Sequence, residues 1–351
     1  MPDISAASAP QPPNSPQPPA RQRVLSGMRP TGALHLGHYH GALKNWVQLQ
    51  STHDCFFFVA DWHALTTHGQ GKQDRGWIER NVYDMVVDWL AAGIDPEQAT
   101  LFIQSRMPEH AELFTLLAMS TPTSWLERIP SYKDQVERNR ELATYGFLGY
   151  PLLQAADILI YKAACVPVGE DQSAHVEVTR EVARRFNRLY APDQPILPEP
   201  LEMLTATPRL PGLDGQKMSK SAGNAIAMRD APGVVDEKVR TMPTDPQRVR
   251  LGDPGDPERC PVWPLHELYS DESTQSWVQQ GCQSASMGCL DCKRPLIEAI
   301  QKEQKPWHER AESYLANPKQ VHWIVEVGAE RARAVARKTL REVRAAMGLA
   351  Y

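Results

Sequence analysis

Cys55-Phe56-Phe57-Phe58-Val59-Ala60 is apolar at every position, and this stretch decides the fold. A strand with one wet face alternates apolar and polar residues, whereas an uninterrupted apolar run is typical of a strand buried on both faces of a parallel sheet. Further strands are predicted at 24–27, 100–104 and 164–168, and helical spacing of apolar residues marks 37–47, 82–90, 151–161 and 171–190. This alternation predicts an α/β fold built on a doubly wound parallel sheet.

Composition limits the class of protein. The chain has 351 residues with a net charge of −4, which allows one large domain and a smaller one. A protein of this charge contacts nucleic acid only through a local basic patch. No apolar run approaches the roughly 20 residues of a membrane span. Residues 1–22 are rich in Pro, Ala, Gln and Ser without an apolar block, which predicts a disordered extension and no secretory signal.

The pattern becomes mostly helical in the last third of the chain. The segment 331–344 carries six basic residues against a single acidic one, Glu342. We predict an α/β domain over 23–227, ending in a Lys-rich loop, and a helical domain over 228–351.

Two short segments have the chemistry of a nucleotide triphosphate site. His35-Leu36-Gly37-His38 stands at the entrance of the first predicted helix, where both imidazoles can point toward phosphate oxygens. Gly37 lets a nucleotide pack against the backbone. Lys217-Met218-Ser219-Lys220-Ser221 lies between glycines, in a loop that can close over β- and γ-phosphates. Each segment alone is compatible with surface histidines or solvated lysines; together they predict ATP binding by positioning and charge.

Asp157 is the other informative residue, because it lies in an otherwise apolar helical segment, 150–159. A buried carboxylate is costly unless it accepts hydrogen bonds. From periodicity alone, the favoured interpretation is a structural carboxylate satisfied by an arginine or a backbone amide. His35, Asp61 and the segment 169–172 all follow predicted strands, so they are expected to meet in one crevice at the carboxyl ends of the sheet.

The two phosphate-binding segments, in this order and with an α/β pattern between them, resemble the signature motifs of class I aminoacyl-tRNA synthetases. The segments 150–159, 166–172 and 183–187 resemble one family within that class, the tryptophanyl-tRNA synthetases, and the resemblance covers about 23–245. It implies a Rossmann-type catalytic domain that activates L-tryptophan with ATP to tryptophanyl-adenylate and transfers it to tRNA(Trp). It also implies Mg²⁺ carried by the triphosphate, an anticodon-binding helical domain, a homodimer with an interface near 119–132, and a cytoplasmic location.

The resemblance also implies roles for individual residues. The catalytic group is His35, His38, Lys217 and Lys220. The ATP-binding group is Arg29, His35, Gly37, His38, Gly169, Asp171, Gln172, Lys217, Met218, Ser219, Lys220 and Ser221. The tryptophan-binding group is His63, Tyr150, Gln154, Asp157, Val166, Val168 and Gln172. In it Asp157 accepts the indole N–H, the valines pack on the ring, Tyr150 and Gln172 hold the α-amino group, and His63 lies near the carboxylate.

Two positions depart from the commoner family pattern: many members have Asn in place of His38 and Gln in place of Arg29. Asp157 explains the rejection of phenylalanine, which has no donor on its ring. It does not by itself reject tyrosine, because the tyrosine hydroxyl can also donate a hydrogen bond. A tyrosyl-tRNA synthetase is therefore the alternative within the class. A non-catalytic synthetase paralogue and a nucleotidyltransferase that adenylylates a small cofactor are alternatives outside it.

Four of the six cysteines cluster late in the chain, at Cys260, Cys282, Cys289 and Cys292, with 21, 6 and 2 residues between them. Four thiolates can complete a tetrahedral metal site, and both Zn²⁺ and [4Fe–4S] accept such a set. The alternative is four unrelated buried thiols. A subset of tryptophanyl-tRNA synthetases has an iron–sulfur cluster with similar cysteine spacing, and this resemblance favours iron–sulfur over zinc. Cys55 and Cys165 are predicted core thiols.

Overall fold

The structure is a computed structural model that describes residues 21–68, 76–169, 172–204, 210–220 and 222–351. Its centre is one parallel sheet of five strands in the order β3-β2-β1-β4-β5. The strands are β1 (Arg23–Met28), β2 (Asp54–Val59), β3 (Ala99–Ile103), β4 (Cys165–Val168) and β5 (Leu201–Leu204). The predicted doubly wound sheet is confirmed.

Helices cover both faces of this sheet. They are α1 (Leu36–His38), α2 (Lys44–Leu49), α3 (Asp61–His68), α4 (Trp77–Ala92), α5 (Pro108–Ala118), α6 (Thr123–Glu127), α7 (Pro130–Arg138), α8 (Tyr145–Ile160), α9 (Ser173–Tyr190), α10 (Pro232–Thr241), α11 (Trp263–Tyr269), α12 (Glu272–Gln283), α13 (Cys289–Ala316) and α14 (Pro318–Ala346). A π-helical turn, Tyr39–Leu43, joins α1 to α2 directly after the first motif. No helix in the described ranges is both long and apolar enough to cross a bilayer.

The apolar run of β2 is buried on both faces, as its sequence predicts. Cys55, Phe57 and Val59 belong to the core under α4, whereas Phe56 and Phe58 belong to the core under α5, α8 and α9. Because side chains alternate across a strand, both layers draw on the same six residues. The sheet is thereby fixed between two helical layers, and its carboxyl edge stays open for a site.

The C-terminal helices pack directly against the sheet and its helices. Helix α13 lies on α4, and α14 lies on β3 and α5. The approach of α14 is so close that a Cβ on Gly328 would stand 1.8 Å from the carbonyl oxygen of Leu101. The domain boundary at 228 stays a prediction, but the last helix shares its apolar core with the α/β layers.

The basic face of α14 is largely paired within the chain. Arg337 Nε donates to Glu109 Oε1 at 3.0 Å, and Arg333 lies 3.7 Å from the same carboxylate. Arg344 forms a bidentate pair with Glu112. These arginines hold α14 to α5 and are not a free patch for nucleic acid.

Some elements start or end elsewhere than predicted. Helix α8 begins at Tyr145, not near Pro151, because Thr144 caps it by accepting a hydrogen bond from the backbone N–H of Phe147. Strand β5 was not predicted, and neither were α5 to α7. Gly93 ends α4 in the left-handed conformation at φ 112°.

Candidate active site

A cavity of about 440 Å³ opens at the carboxyl ends of β1, β2 and β4. Its size is in the usual range for small-molecule sites. It brings together many of the predicted residues: Arg29, His38, His63, Tyr150, Gln154, Asp157, Val166, Val168, Gly169 and Gln172. Side chains that the sequence did not single out complete the wall, among them Ser131, Gln135, Phe147 and His175.

Asp157 lies at the base of this cavity with 0% of its surface exposed. Its Oδ1 accepts from His110 Nδ1 at 2.7 Å, and its Oδ2 accepts from His63 Nε2 at 2.8 Å. The Gln104 amide donates to both oxygens at 3.0 Å. The interpretation of a carboxylate satisfied by an arginine or a backbone amide is therefore wrong in its partners. Two imidazoles and one amide surround it instead.

The protonation states in this cluster follow from the donor chemistry. Burial alone acts to raise the pKa of Asp157, but hydrogen bonds from His110 and His63 and their charges outweigh it, so the pKa lies below its usual value. An ionised carboxylate only accepts, so His110 donates to it through Nδ1, and His110 Nε2 forms a second hydrogen bond with the Tyr161 hydroxyl, 2.6 Å away. Burial, Asp157 and Glu109 all raise the pKa of Tyr161, which keeps it a donor.

Sequence reasoning did not identify Gln104 and His110. Gln104 directly follows β3, and a polar residue at the carboxyl end of a buried strand is a usable signal. His110 comes from α5, which was not predicted, so no sequence signal placed it near Asp157.

His35 and His38 stand together at the start of α1, with ring centroids 3.8 Å apart. The His35 backbone N–H donates to His38 Nδ1 at 3.2 Å, which leaves the proton of a neutral His38 on Nε2. Burial lowers the pKa of His35 to about 4, with the Lys220 charge adding. Burial, His35 and Lys220 lower the pKa of His38 to about 2. Both imidazoles are therefore neutral donors near pH 7 and not cations.

The lysine loop packs against the first motif. Lys220 Nζ donates to the carbonyl oxygen of Gly32 at 2.6 Å, and a Cβ on Gly37 would lie 3.9 Å from Met218 Cβ. Lys217 is exposed and open to the solvent. Buried Asn224, which the sequence did not single out, accepts from the Ser219 N–H at 2.8 Å and donates to the carbonyl of Lys217 at 3.2 Å. The loop thus has a defined shape beside the two histidines.

Two predicted ATP-binding residues, Asp171 and Ser221, lie outside the described residues. The predicted disordered extension falls almost entirely outside them as well. The assignments of individual site residues stay predictions.

Comparison with known proteins identifies the family. The family model of class I tRNA synthetases (W and Y) matches residues 18–304. The chain belongs to this family. It is similar to a tryptophan–tRNA ligase from Ralstonia nicotianae, 54% identical over 94% of this chain and 99% of that protein. It is similar to one from Thermotoga maritima, 50% identical over 94% of this chain and 100% of that protein.

A solved structure of the same family has a similar fold. It is a tryptophanyl-tRNA synthetase from Campylobacter jejuni, complexed with ADP and tryptophan. It superposes with a TM-score of 0.83 at 33% identity, over 93% of this chain and 100% of that one. The synthetase family and the Rossmann-type fold expected from the motifs are both confirmed.

The four late cysteines of this synthetase lie in helices and at their ends, not in one loop. Cys289 opens α13, Cys292 follows one turn later, Cys282 is in α12, and Cys260 precedes α11. They are half-buried and free of disulfides. Burial raises the pKa of the Cys292 thiol to about 12, with the other three thiols contributing, and both α11 and α12 pack against α13. Among the described residues, however, no three His, Cys, Asp or Glu side chains converge on one ion position. The four-cysteine metal site predicted from the sequence is therefore not borne out among these residues.

Proposed function

We propose that this protein is a tryptophan–tRNA ligase, which forms tryptophanyl-adenylate from L-tryptophan and ATP and transfers the amino acid to tRNA(Trp). The observation that carries the proposal is the buried Asp157 acceptor at the base of a cavity beside both phosphate-binding motifs. The high identity to tryptophan–tRNA ligases along nearly the whole chain supports the same activity.

In the first step a carboxylate oxygen of tryptophan attacks the α-phosphorus of ATP. An O–P bond to the amino acid forms, the bond to the β-phosphate oxygen breaks, and pyrophosphate leaves with its electron pair. The protein contributes donors and charge, since such transfers need mainly positioning and electrostatic stabilisation. His38 Nε2–H and His35 donate as neutral groups, while Lys217 and Lys220 supply the positive charge. Mg²⁺ arrives with the triphosphate as part of the substrate.

The amino acid pocket accounts for the choice of side chain. Val166 and Val168 are buried cavity residues that offer an apolar wall to an aromatic ring. A carboxylate has about four acceptor positions. Three side chains make four contacts with Asp157, two to each oxygen, so the indole N–H has to take the place of one of them, and we assign it the place of one of the two Gln104 contacts. Tyr150, hydrogen-bonded to Ser131 Oγ at 2.7 Å, and Gln172 border the same cavity, which supports assigning them to the α-amino group.

Amino acid-dependent ATP–pyrophosphate exchange tests the proposal. We expect exchange with tryptophan, and preference over phenylalanine by about 10⁴-fold in kcat/KM, because phenylalanine has no N–H to donate to the buried acceptor. Charging of a tRNA(Trp) transcript should follow, and a tRNA(Tyr) transcript is the matched control. Exchange that is faster with tyrosine would establish the tyrosyl alternative, and absence of exchange with either would favour the non-catalytic paralogue.

The remaining expectations belong to the same proposal. A homodimer interface at 119–132 is supported by Met119, whose surface is 70% exposed beside α6. Anticodon binding is assigned to the segment after 228, away from the paired arginines of α14. A role in translation places the protein in the cytoplasm.

We also propose that Cys260, Cys282, Cys289 and Cys292 hold a [4Fe–4S] cluster with a structural role. Around one zinc ion, with Zn–S distances of about 2.3 Å, four sulfurs are crowded together, whereas the ligands of a cubane cluster stand farther apart. Cys260 precedes α11, and α11 and α12 both pack against α13, so the four free thiols come from neighbouring segments, which supports their assignment to one cluster. A bound cluster would join the segment before α11 to α12 and α13 covalently through iron.

Anaerobic purification tests the cysteine proposal. We expect brown protein with about four irons per chain and broad absorbance near about 400 nm. Cys292→Ser should lose most of the iron and absorbance, whereas Cys55→Ala, which changes a core thiol of β2, should retain both. Colourless protein with one zinc per chain would overturn the iron–sulfur assignment.

A further inference from the structure

Asp88 is a buried carboxylate on α4, a helix that contributes nothing to the cavity. It is 1% exposed and lies among the apolar residues with which α4 covers the sheet, Met85 and Trp89 among them. An ionised group in such a position is retained only where close partners compensate its desolvation. The identity of those partners indicates what Asp88 does.

Both partners of Asp88 flank the phosphate-binding motifs. Its Oδ2 accepts from the backbone N–H of Leu34 at 3.2 Å, directly before His35. Its Oδ1 accepts from Arg229 Nε at 2.5 Å, in the segment that leads away from the lysine loop. Arg229 Nη2 also pairs with Asp84, one turn earlier on α4. A single carboxylate is therefore bonded to the chain beside each motif.

The two flanking segments are paired with each other. Leu36 N–H donates to the carbonyl of Ile226 at 3.0 Å, and Met228 N–H donates to the carbonyl of Leu34 at 2.9 Å. His35 and Ala227 form an antiparallel bridge between these bonds. Asp88 binds one end of this short two-stranded ladder on both strands. It thereby fixes the ladder to the rigid α4 and sets how the histidines and the lysine loop stand relative to each other.

We propose that Asp88, acting with Arg229, is a positioning residue for adenylate formation that holds the two ATP-binding motifs in register. The inference rests on the proposed function. Asp88 itself touches no substrate. Its removal would leave the two strands of the ladder paired but free to shift on α4, and a shift of about 1 Å at a reacting centre costs on the order of 10²-fold in rate.

The test compares variants in tryptophan-dependent pyrophosphate exchange. Arg229→Gln leaves the buried carboxylate without its cation, and we expect kcat/KM for ATP to fall on the order of 10²-fold while KM for tryptophan changes little. Asp88→Asn keeps an acceptor oxygen for the Leu34 N–H, so its loss of kcat/KM for ATP should be smaller. The double variant, Arg229→Gln with Asp88→Asn, has a neutral amide at each position. It should recover part of the kcat/KM for ATP that Arg229→Gln alone loses. Asp84→Asn is the matched control, because Asp84 is a half-exposed partner of the same arginine.

Circular dichroism and thermal unfolding establish that each variant is folded, and calorimetric ATP binding supplies a readout independent of the reaction. Wild-type exchange with unchanged ATP parameters in folded Arg229→Gln and Asp88→Asn would overturn the inference alone. An equal rise in KM for ATP and in KM for tryptophan would also overturn it, since it would indicate general destabilisation. If the wild type shows no exchange, the proposed function fails. The ATP affinities of the variants then still decide whether Asp88 orders the motifs.

Discussion

Asp157→Asn loses tryptophan-dependent pyrophosphate exchange by about 10²- to 10³-fold in kcat/KM for tryptophan. The amide keeps the volume of the carboxylate and one acceptor oxygen, but it removes the charge and places an N–H₂ group among donors. Loss of a charge-assisted hydrogen bond together with an unsatisfied buried donor amounts to about 3–4 kcal/mol, and each 1.4 kcal/mol is about tenfold. KM for ATP should change little, because the phosphate-binding motifs are not touched.

A substrate analogue separates recognition from general damage. A benzothiophene analogue of tryptophan has the same ring shape without the N–H donor. The wild type should strongly prefer tryptophan to this analogue, and the preference should shrink in Asp157→Asn. Asp245→Asn is the matched control, because Asp245 is an equally buried carboxylate that pairs with Arg259 far from the cavity. Wild-type exchange in folded Asp157→Asn would remove the assigned role of this residue.

The sheet could be predicted from sequence because its central strands are buried on both faces. The run at 55–60 has no polar position, and only a strand between two helical layers removes all of it from water. Strand β5 has no such signal. It is four residues long, and Leu201 and Leu204 are 62% and 57% exposed at the edge of the sheet. Edge position, and not composition, explains why it was missed.

The motifs gave the family, but the contacts of the site depend on tertiary packing. Asp157 could be recognised as anomalous in its helix, whereas Gln104 and His110 reach it only because β3 and α5 pack beside α8. The histidines of the first motif were predicted to point toward phosphate oxygens, but the sequence does not show whether they are charged. Their depressed pKa values follow from burial, which the sequence does not report. Likewise, the arginines of α14 were visible as a basic face, but the acidic partners of Arg337 and Arg344 lie 228 and 232 positions earlier in the chain.

Lys220→Met should lower kcat/KM for ATP in pyrophosphate exchange by about 10²- to 10³-fold, the usual effect of removing one group that stabilises developing charge. Lys220 is anchored to the Gly32 carbonyl and lies near both motif histidines, whose pKa values it lowers. KM for tryptophan should stay close to the wild-type value. Lys44→Met, which changes an exposed lysine on α2, is the control and should be indistinguishable from the wild type.

The pH profile gives Lys220 a signature that a merely structural residue would not have. Burial lowers the pKa of Lys220 to about 8, so in the free enzyme its ammonium loses its proton as the pH rises through about 8. Since kcat/KM reports the free enzyme, its value for ATP should fall above that pH. The motif histidines, with pKa values of about 4 and about 2, stay neutral through this range and add no limb of their own.

Lys220→Arg separates the charge of this residue from its exact position. A guanidinium stays charged at every pH of the assay, so the alkaline limb should disappear even if the absolute rate drops. In the wild type the limb of kcat should lie at higher pH than that of kcat/KM, because bound phosphates stabilise the ammonium and raise its pKa. An alkaline limb that persists unchanged in Lys220→Arg would assign it to another group and leave Lys220 as an anchor of the loop.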